Sequence, residues 1–329
     1  MQTKGISVVI PNYNGKNLLE QIIPPLIAAL ANSNRHHEII VSDDCSTDDS
    51  VKFVRHHYPG IQIIESKKNS GFSPAINKGI YAAKHDLLLL LNSDVKLTHD
   101  YFSGLFRYFE KEDTFGVMGR IVGWEDDTIQ DGAKYPSYHG AKIKTTGNYI
   151  PLEPAADDWL YSMYLSGANA FVDRKKLLEL GGFDELFAPF YVEDYELSLR
   201  AWRLGWKCYY HHDAVCRHRV SVSIKSKNSK AYINAIYYRN KMYLHAMHLS
   251  GIRRMTWYLQ LLPETLIRVF TARFYYLQSI KMFFRNREQM HLSMERFAAL
   301  AKQKGGALSV KEVVDKITGS LYDKKIKRF

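Results

Sequence analysis

Cysteine and long apolar runs are both scarce in this chain of 329 residues. Only three cysteines occur, Cys45, Cys208 and Cys216, and no two of them form a Cys-x-x-Cys pair. This odd, widely spaced set argues against a disulfide framework or a structural zinc site, and it fits a reducing compartment. The longest uncharged apolar run, Ile22–Ala31, contains two prolines. It is far shorter than the roughly 20 residues that a membrane span needs.

The N-terminus shows no secretory signal, because the apolar run Ile6–Ile10 is too short for a signal-peptide core. We therefore expect a cytosolic protein. Its net charge of +11 is unevenly distributed. From Arg217 onward there are 23 Lys and Arg against 6 Asp and Glu, whereas the first 216 residues have 22 against 28. The acidic N-terminal part and the basic C-terminal part indicate two functions, and we expect the basic part to face an anionic surface.

Short β-branched runs alternate with helical stretches in the first third of the chain. We predict strands at Ile6–Ile10, Glu38–Ser42, Ile61–Glu65 and Asp86–Leu91. We predict helices at Asn17–Ala31, Asp48–His57, Ser73–Lys84 and Asp100–Glu110. This alternation is typical of right-handed βαβ units, so the fold class is α/β with a mostly parallel sheet. Leu87–Leu91 has no polar alternation, which predicts a central strand buried on both faces.

The rest of the chain divides into two parts. Strands are expected at Phe115–Val122 and Gly167–Val172, and the polar stretch from Gly123 to Asp158 between them is expected to be a long binding loop that includes a hairpin at most. After about residue 221 long helical stretches follow, one of which, Ile252–Phe284, should break at Pro263. We therefore predict an α/β domain over residues 1–220 and a basic helical region over residues 221–329.

Acidic residues follow two of the predicted strands. Asp43 and Asp44 end the second strand, and Asn92-Ser93-Asp94 follows the buried leucines. Ligands of open α/β sheets bind at the carboxyl ends of strands. Carboxylates there suit a ribose, or a Mg²⁺ or Mn²⁺ ion that also binds phosphate. The alternatives are an N-cap for the next helix and a solvated Asx turn.

Two further positions carry candidate chemistry. Glu193 and Asp194 begin a predicted helix, where partners of the helix dipole and a general base are both plausible roles. Glu196 and Arg200 form an ordinary i,i+4 pair. His218 follows a short predicted strand and is suited to complete a metal site, although a lone histidine is more often structural.

In combination these segments resemble the family 2 glycosyltransferases, which have the GT-A fold, and in particular bacterial rhamnosyltransferase-like members. The similarity covers roughly residues 6–220 in the family's order and spacing. The matching segments are Val8–Gly15, Val41–Asp48, Asn69–Gly79, Leu90–Asp94, Ser166–Asn169, Gly181–Glu185 and Glu193–Arg200. Each motif is modest alone, and together they are specific.

The resemblance implies roles for individual residues. Asp194 falls on the general base, with Glu193 as a supporting acid. Asp94 is the expected metal ligand and His218 a second ligand to metal or phosphate. Asn92 replaces the first Asp of the family's Asp-x-Asp motif, which weakens the expected metal affinity. The residues expected to bind the nucleotide sugar are Pro11, Tyr13, Asn14, Asp43, Asp44, Asn69, Gly71, Asn77, Asn92, Ser93 and Gly167.

The resemblance also implies an inverting transfer of a sugar from a nucleoside diphosphate sugar to a glycan or polyprenyl-linked acceptor in cell-surface polysaccharide synthesis, with Mg²⁺ or Mn²⁺ as cofactor. We expect a peripheral protein on the inner face of the cell membrane. The aromatic and basic stretch from Trp257 to Arg287 suits an interfacial helix on anionic lipid, and the alternative is that its apolar residues pack on the catalytic domain or on a second subunit of a homodimer.

Two other functions are alternatives for this sequence. A sugar-phosphate nucleotidyltransferase would ordinarily have a Gly-rich basic loop after its first strand, where this chain has Pro11-Asn12-Tyr13-Asn14. A nucleic-acid-binding protein would fit the basic rear half, but the chain has no zinc spacing or aromatic RNA motif, and its front half is acidic. We therefore expect no nucleic-acid partner.

Overall fold

β-Branched and leucine-rich runs form the strands of a ten-stranded mixed sheet and a smaller three-stranded sheet. The computed structural model describes residues 4–153, 159–219 and 229–329. The strands are β1 Ile6–Asn12, β2 His37–Asp43, β3 Gln62–Glu65, β4 Leu87–Leu91, β5 Val95–Leu97, β6 Thr114–Gly123, β7 Ile129–Asp131, β8 Ala133–His139, β9 Lys142–Pro151, β10 Leu160–Tyr161, β11 Asn169–Asp173, β12 Lys207–His218 and β13 Ile326–Arg328.

The α-helices lie on both sides of the large sheet and in the C-terminal region. They are α1 Lys16–Asn32, α2 Ser50–His57, α3 Phe72–Ala82, α4 Arg174–Glu179, α5 Glu193–Arg203, α6 Lys230–His248, α7 Gly251–Phe270, α8 Tyr275–Arg285, α9 Arg287–Gln303 and α10 Val310–Gly319. Short 3₁₀ helices occur at Phe106–Glu110 and Glu185–Phe187.

The large sheet has the strand order β10-β12-β6-β11-β4-β1-β2-β3, with β5 paired to β12 and β7 to β6. Strand β1 is parallel to both β2 and β4, and β2 is parallel to β3. Strand β11 then runs antiparallel to β4 and β6. The chain therefore reverses its direction of strand addition beside β1, and such a switch point opens a crevice at the carboxyl ends of the strands.

Strand β4 is the buried centre that its sequence predicts. All five leucines of Leu87–Leu91 are buried, between β1 on one side and β11 on the other. One hydrophobic cluster lies on each face of the sheet: Val9 and Leu90 belong to one, and Val8 and Leu89 belong to the other. Alternate side chains of the same strand thus enter opposite cores, which holds the strand rigidly.

Two predicted helices differ in the structure. Asp100–Glu110 is not an α-helix but a series of turns that ends in a 3₁₀ helix, because Gly104 has a φ of 76° and interrupts it. Helix α7 continues through Pro263 and ends only at Phe270. Proline deprives the Leu259 carbonyl of its helical partner, but Leu259 is exposed, so water can replace the lost donor.

The polar stretch between Gly123 and Asp158 has more structure than a loop. It contains β7 and the antiparallel pair β8–β9, while residues 154–158 lie outside the described part. The last strand, β13, pairs with β9 and completes the small sheet. The C-terminal end of the chain is thus joined to the hairpin that follows the large sheet.

The predicted boundary at residue 220 lies outside the described residues, and it stays a prediction. The helices that follow share a hydrophobic core with the α/β part, since Tyr243, Trp257 and Ile317 belong to the same buried cluster as Val9 and Trp202. Among the helices within the described ranges, none combines the length and apolar composition that crossing a membrane requires.

Candidate active site

A cavity of about 750 Å³ opens at the carboxyl ends of β1, β2 and β4. It brings together most of the residues that the sequence indicated. These residues come from segments that lie far apart in the chain, from Pro11 to His218. The predicted residues that line it are Pro11, Tyr13, Asp44, Asn69, Gly71, Asn92, Ser93, Asp94, Gly167, Glu193, Asp194 and His218.

On one side of the cavity, Asp44 holds the segment that contains Gly71. Its carboxylate accepts hydrogen bonds from the backbone N–H groups of Ser70 (3.0 Å) and Gly71 (2.8 Å). Gly71 has a φ of 93°, and a Cβ at this position would lie 2.6 Å from the Cα of Pro189. The N–H of Phe72 donates to the carbonyl of Pro189 at 2.9 Å. Only glycine permits this close approach of the two loops.

Asn14 and Asp43 lie beside the cavity without lining it. The Asp43 carboxylate is buried and accepts from Asn12 Nδ2 (2.7 Å) and from the N–H of Ser46 (2.8 Å). The side-chain oxygen of Asn14 accepts from the N–H of Thr47 at 2.6 Å. Both side chains therefore shape the loops that carry Tyr13 and Asp44, and their direct contact with a nucleotide stays a prediction.

Asn77 is buried in α3 and is also absent from the cavity wall. Its amide exchanges two hydrogen bonds with the backbone of Phe183, one from Nδ2 to the carbonyl and one from the N–H to Oδ1, both 2.9 Å long. This pair fixes the Gly-Gly-Phe-Asp segment to α3. The nucleotide-binding role of Asn77 remains a prediction, and its visible role is to hold this segment.

Asn92 and Asp94 follow the end of β4 and line the cavity, and Asp94 lies close to His218. Strand β5 pairs with the end of β12, with Val95 opposite His218. The imidazole Nε2 consequently lies 3.6 Å from Asp94 Oδ2. The other ring nitrogen, Nδ1, is 3.2 Å from Gln130 Oε1, which can only accept. The imidazole therefore lies between Gln130 and Asp94, with Nε2 on the side of Asp94.

These side chains have unused oxygen atoms. Asn92 Oδ1 and Asp94 Oδ1 are buried and have no hydrogen-bond partner within the described part of the chain. Buried polar atoms without partners are unusual in folded proteins. Within residues 4–153, 159–219 and 229–329, no three His, Cys, Asp or Glu side chains form a group that could hold a metal ion by themselves. Two protein ligands beside unused oxygens fit Mg²⁺ or Mn²⁺ that also binds phosphate and water.

Glu193 and Asp194 lie on the opposite wall, at the first turn of α5. Asp194 accepts hydrogen bonds from the backbone N–H groups of Tyr195 (2.7 Å) and Gly167 (3.3 Å). Glu193 is buried, and its Oε2 has no hydrogen-bond partner among the described residues. The residues before them, Tyr191 and Val192, have φ values of 74° and 73°.

The two carboxyl groups have different protonation states. Burial and the adjacent charge of Asp194 raise the pKa of Glu193 to about 8. Burial also raises the pKa of Asp194, but the N–H groups of Gly167 and Tyr195 and the positive charge of Lys134 oppose this rise. Because N–H donors stabilise a carboxylate, Asp194 ionises more readily than Glu193, whose raised pKa keeps it protonated at neutral pH. Asp194 is then the ionised member of the pair.

The cavity has a third wall that the sequence did not indicate. Thr145 comes from β9 and Tyr164 from the segment before β11, while Tyr237 and Lys241 come from α6. Lys241 is the only Lys or Arg among the described residues of the lining. The i,i+4 spacing of Tyr237 and Lys241 was the only available signal, and it does not distinguish a cavity wall from a solvated helix face.

The sheet order and the cavity at its switch point are those of the GT-A fold. Two solved structures share it at low sequence identity. GalNAc-T7 with UDP, GalNAc and Mn²⁺ matches with a TM-score of 0.68 and 15% identity, covering 97% of this chain and 57% of that one. Mannosyltransferase PcManGT from Pyrobaculum calidifontis, in complex with GDP-Man and Mn²⁺, matches with a TM-score of 0.55 and 16% identity, covering 98% and 82%.

The chain belongs to glycosyl transferase family 2, whose family model matches residues 7–179. Among characterised proteins it is similar to the N-acetylglucosaminyl-diphospho-decaprenol L-rhamnosyltransferase of Mycobacterium tuberculosis. The two are 23% identical over 230 residues, which is 63% of this chain and 74% of the relative. The protein is therefore a glycosyltransferase, and the nucleotidyltransferase alternative is not favoured.

The protonation of Glu193 predicts a pH-dependent stability. A glutamate with an ordinary pKa of 4.5 in the unfolded chain and about 8 in the fold stabilises the protein below pH 4.5, and this contribution is lost as the pH rises through 8. Glu193→Gln should therefore have little effect on Tm near pH 5. It should raise Tm relative to wild type by about 2 °C or more at pH 9, as measured by scanning calorimetry.

The matched control is Glu20→Gln, because Glu20 lies on the surface in an i,i+4 pair with Lys16. Its Tm difference from wild type should not change between pH 6 and 9. A Tm difference for Glu193→Gln that is constant over the same range would show that Glu193 is ionised in the fold.

Proposed function

We propose that this glycosyltransferase transfers a sugar from a nucleoside diphosphate sugar to a hydroxyl group of a glycan or a polyprenyl-linked acceptor, with inversion, in the synthesis of a cell-surface polysaccharide. The observation that carries this proposal is the shared cavity in which Asp44, Asp94 and Asp194 face one space. The name of the mycobacterial relative includes a diphospho-decaprenol acceptor, which supports a polyprenyl-linked acceptor here.

In the proposed mechanism, the donor lies between the two walls. Pro11, Tyr13 and the Asp44-held segment Asn69–Gly71 bind the nucleotide. The ionised Asp194 accepts the proton of the acceptor hydroxyl, whose oxygen attacks the anomeric carbon opposite the leaving diphosphate. A single displacement through an oxocarbenium-like state inverts the configuration. Glu193, which carries a proton, is placed to donate a hydrogen bond to the acceptor or the sugar.

Asp94 and His218 would hold a Mg²⁺ or Mn²⁺ ion, with Asn92 acting directly or through water. When bound, the ion neutralises the diphosphate and makes it a better leaving group. Ser93 and Gly167 line the cavity between the two carboxylate walls and are proposed to contact the sugar diphosphate through their backbone.

A thermal-shift screen of nucleotide sugars with Mn²⁺ tests the donor class, because a ligand of the native state raises Tm by mass action. With the donor identified, Asp194→Asn should lower transfer roughly 10²-fold or more, since a general base typically contributes 10²–10⁴-fold. Binding of the nucleotide diphosphate should remain close to that of wild type, because Asp44 and Asp94 are unchanged. Release of nucleoside diphosphate and calorimetric titration measure the two quantities.

Asp315→Asn is the control, because Asp315 is an exposed residue of α10 paired with Lys311. This variant should keep full activity. Transfer by Asp194→Asn above roughly a tenth of the wild-type rate would refute the assignment of Asp194 as general base.

A separate prediction concerns the metal ligands. Asp94→Ala should abolish the Mn²⁺-dependent gain in donor affinity, because it removes the carboxylate of the proposed site. Asn92→Ala should reduce the gain less, since an amide offers only a neutral oxygen or holds a water. Titration of the donor nucleotide with and without Mn²⁺ measures both effects. If both variants bind the donor like wild type in Mn²⁺, the metal site lies elsewhere.

We also propose that the C-terminal helices attach the enzyme to the inner face of an anionic membrane, close to a lipid-linked acceptor. The stretch from Trp257 to Arg287 is divided between two environments. Trp257, Leu261 and Phe283 pack into the core. Other large apolar side chains are exposed, namely Leu259, Leu262, Leu266, Ile267, Phe270, Phe274, Leu277 and Phe284. Phe270 is 86% exposed, which is unusual for a phenylalanine.

Exposed basic residues accompany this apolar face. Arg273, Lys281 and Arg285 are exposed on or beside α8. Apolar side chains that enter the lipid boundary, together with cations near anionic headgroups, are the two contributions that bind interfacial helices. Each cation near such a surface contributes about 1 kcal/mol. The exposed apolar side chains and the neighbouring cations therefore support attachment of this face to a membrane surface.

Flotation with liposomes tests this attachment. The protein should float with vesicles that contain phosphatidylglycerol, less so at high salt, and poorly with neutral vesicles. The double variant Phe270→Ser/Phe274→Ser should lower the floated fraction at least about tenfold, because burial of each phenylalanine contributes roughly 1.5–3 kcal/mol. Tyr322→Ser is the control, since Tyr322 is an exposed aromatic residue outside this face. Wild-type protein that stays in solution with anionic vesicles and sediments as a dimer would favour a subunit interface.

A further inference from the structure

Helix α6 buries two adjacent polar residues against the turn that precedes α5. Arg239 is 5% exposed and Asn240 is fully buried. Arginine and asparagine are seldom buried unless their hydrogen-bonding groups are satisfied. Both lie in the middle of a 19-residue helix, so the backbone of α6 needs no help from them. The hydrogen-bond partners of the two side chains therefore indicate their role.

Asn240 binds the turn through its side-chain amide. Nδ2 lies within hydrogen-bonding distance of the carbonyl oxygens of Phe187 (2.7 Å), Phe190 (3.0 Å) and Tyr191 (2.8 Å). The amide oxygen, Oδ1, accepts from Nε (2.9 Å) and Nη2 (2.8 Å) of Arg239. The orientation of the amide is thus determined at both ends.

Arg239 extends the contact to another residue of the turn, because its Nη2 also donates to the carbonyl of Ala188. Carbonyl groups of four of the five residues from 187 to 191 therefore lie within hydrogen-bonding distance of two side chains of α6, and the two N–H groups of Asn240 are shared among three of them. The remaining one, Pro189, accepts from the N–H of Phe72 at 2.9 Å. Every carbonyl of this segment thus faces a donor group from another part of the chain.

The turn needs such restraint because its backbone is strained. Tyr191 and Val192 both have φ near 74°, in the left-handed region that residues other than glycine rarely adopt. Valine is disfavoured there because its β-branch crowds the following carbonyl. Strained conformations of this kind persist only where the surrounding structure holds them, and they cluster at functional sites.

The strained turn determines where the two acids point. The N–H of Glu196 donates to the carbonyl of Val192 at 2.9 Å, so the first turn of α5 begins on the strained residue. Glu193 and Asp194 are the next two residues. A shift of the turn would move Asp194 away from the N–H of Gly167, which its carboxylate accepts at 3.3 Å.

We propose that Asn240, supported by Arg239, is a positioning residue that holds the turn of residues 187–192 so that Asp194 faces the acceptor. The inference rests on the proposed function for the role of Asp194. It makes α6, which follows the α/β part in sequence, a component of the catalytic apparatus. Misplacement of a catalytic group by about 1 Å can lower a rate by roughly 10²-fold, so a small relaxation of the turn suffices to impair transfer.

The kinetic test compares Asn240→Ala and the milder Arg239→Lys with Met242→Ala. Met242 is buried in α6 beside them and shares the hydrophobic core, but a thioether donates no hydrogen bond to the carbonyls of the turn. Its truncation therefore destabilises the helix while the hydrogen bonds of Arg239 and Asn240 stay in place. With the donor that the thermal-shift screen identifies, kcat should fall roughly tenfold or more in Asn240→Ala and less in Arg239→Lys. The donor KM, and the Kd for UDP with Mn²⁺, should stay within about twofold. Met242→Ala should keep the wild-type kcat at a temperature well below its Tm.

Hydrogen exchange provides a readout that does not depend on activity. Backbone amides of residues 190–197 should exchange roughly tenfold faster in Asn240→Ala, and at the wild-type rate in Met242→Ala, because only the first variant releases the turn. Unchanged exchange in Asn240→Ala, or an unchanged kcat, would overturn the proposal. A parallel loss of kcat and UDP binding in both Asn240→Ala and Met242→Ala would also overturn it, because that pattern reflects general destabilisation. If the wild type turned over no donor, the proposed function would fail, and exchange would still decide whether Asn240 holds the turn.

Discussion

Parallel pairing of β1 with both β2 and β4 is the constraint on which the site depends. The register places Asn12 opposite Asp43, so β1 and β2 end at the same level. Strand β4 runs beside β1 in the same direction, with Val9 opposite Leu90. The residues that follow these strands, Asp44 and Asn92 among them, therefore emerge at one edge. Because the strands are buried on both faces, their ends are rigid, and rigid supports position catalytic groups accurately.

Two glutamates one turn apart in α5 show how burial leads to different roles. Glu196 is fully buried, and burial alone would raise its pKa, but Arg200 and His248 outweigh burial and hold it below the usual value. Arg200 Nε lies 2.8 Å from Glu196 Oε1, and His248 Nε2 lies 3.3 Å from it. Among the described residues, no such cation opposes the rise in the pKa of Glu193, which retains its proton. Glu196 anchors α5 to the fold, and Glu193 is available to the cavity.

The sequence predicted strands β1–β4, β6 and β11, the central position of Leu87–Leu91 and the acids at the cavity, because each follows from a short local pattern. Hydrophobic periodicity and the residues that end a strand lie within a few positions of each other. The α-helix expected at Asp100–Glu110 was wrong because one glycine, Gly104, adopts a left-handed conformation that composition does not reveal. The break expected at Pro263 was wrong because the helix loses one hydrogen bond on its solvated side and continues.

By itself, the sequence determined the α/β class, the family and the identity of the acids that face the cavity, since these depend on local pattern and residue chemistry. Only the tertiary structure decided which polar residues support the site. Asn77 donates a hydrogen bond to the backbone of Phe183, 106 positions away, and Asn240 donates to the turn before Glu193, about 50 positions away. Likewise, the pairing of β5 with β12 brings His218 to Asp94. Such contacts arise from the packing of distant elements, and a local sequence pattern contains no information about which distant backbone a buried amide will meet.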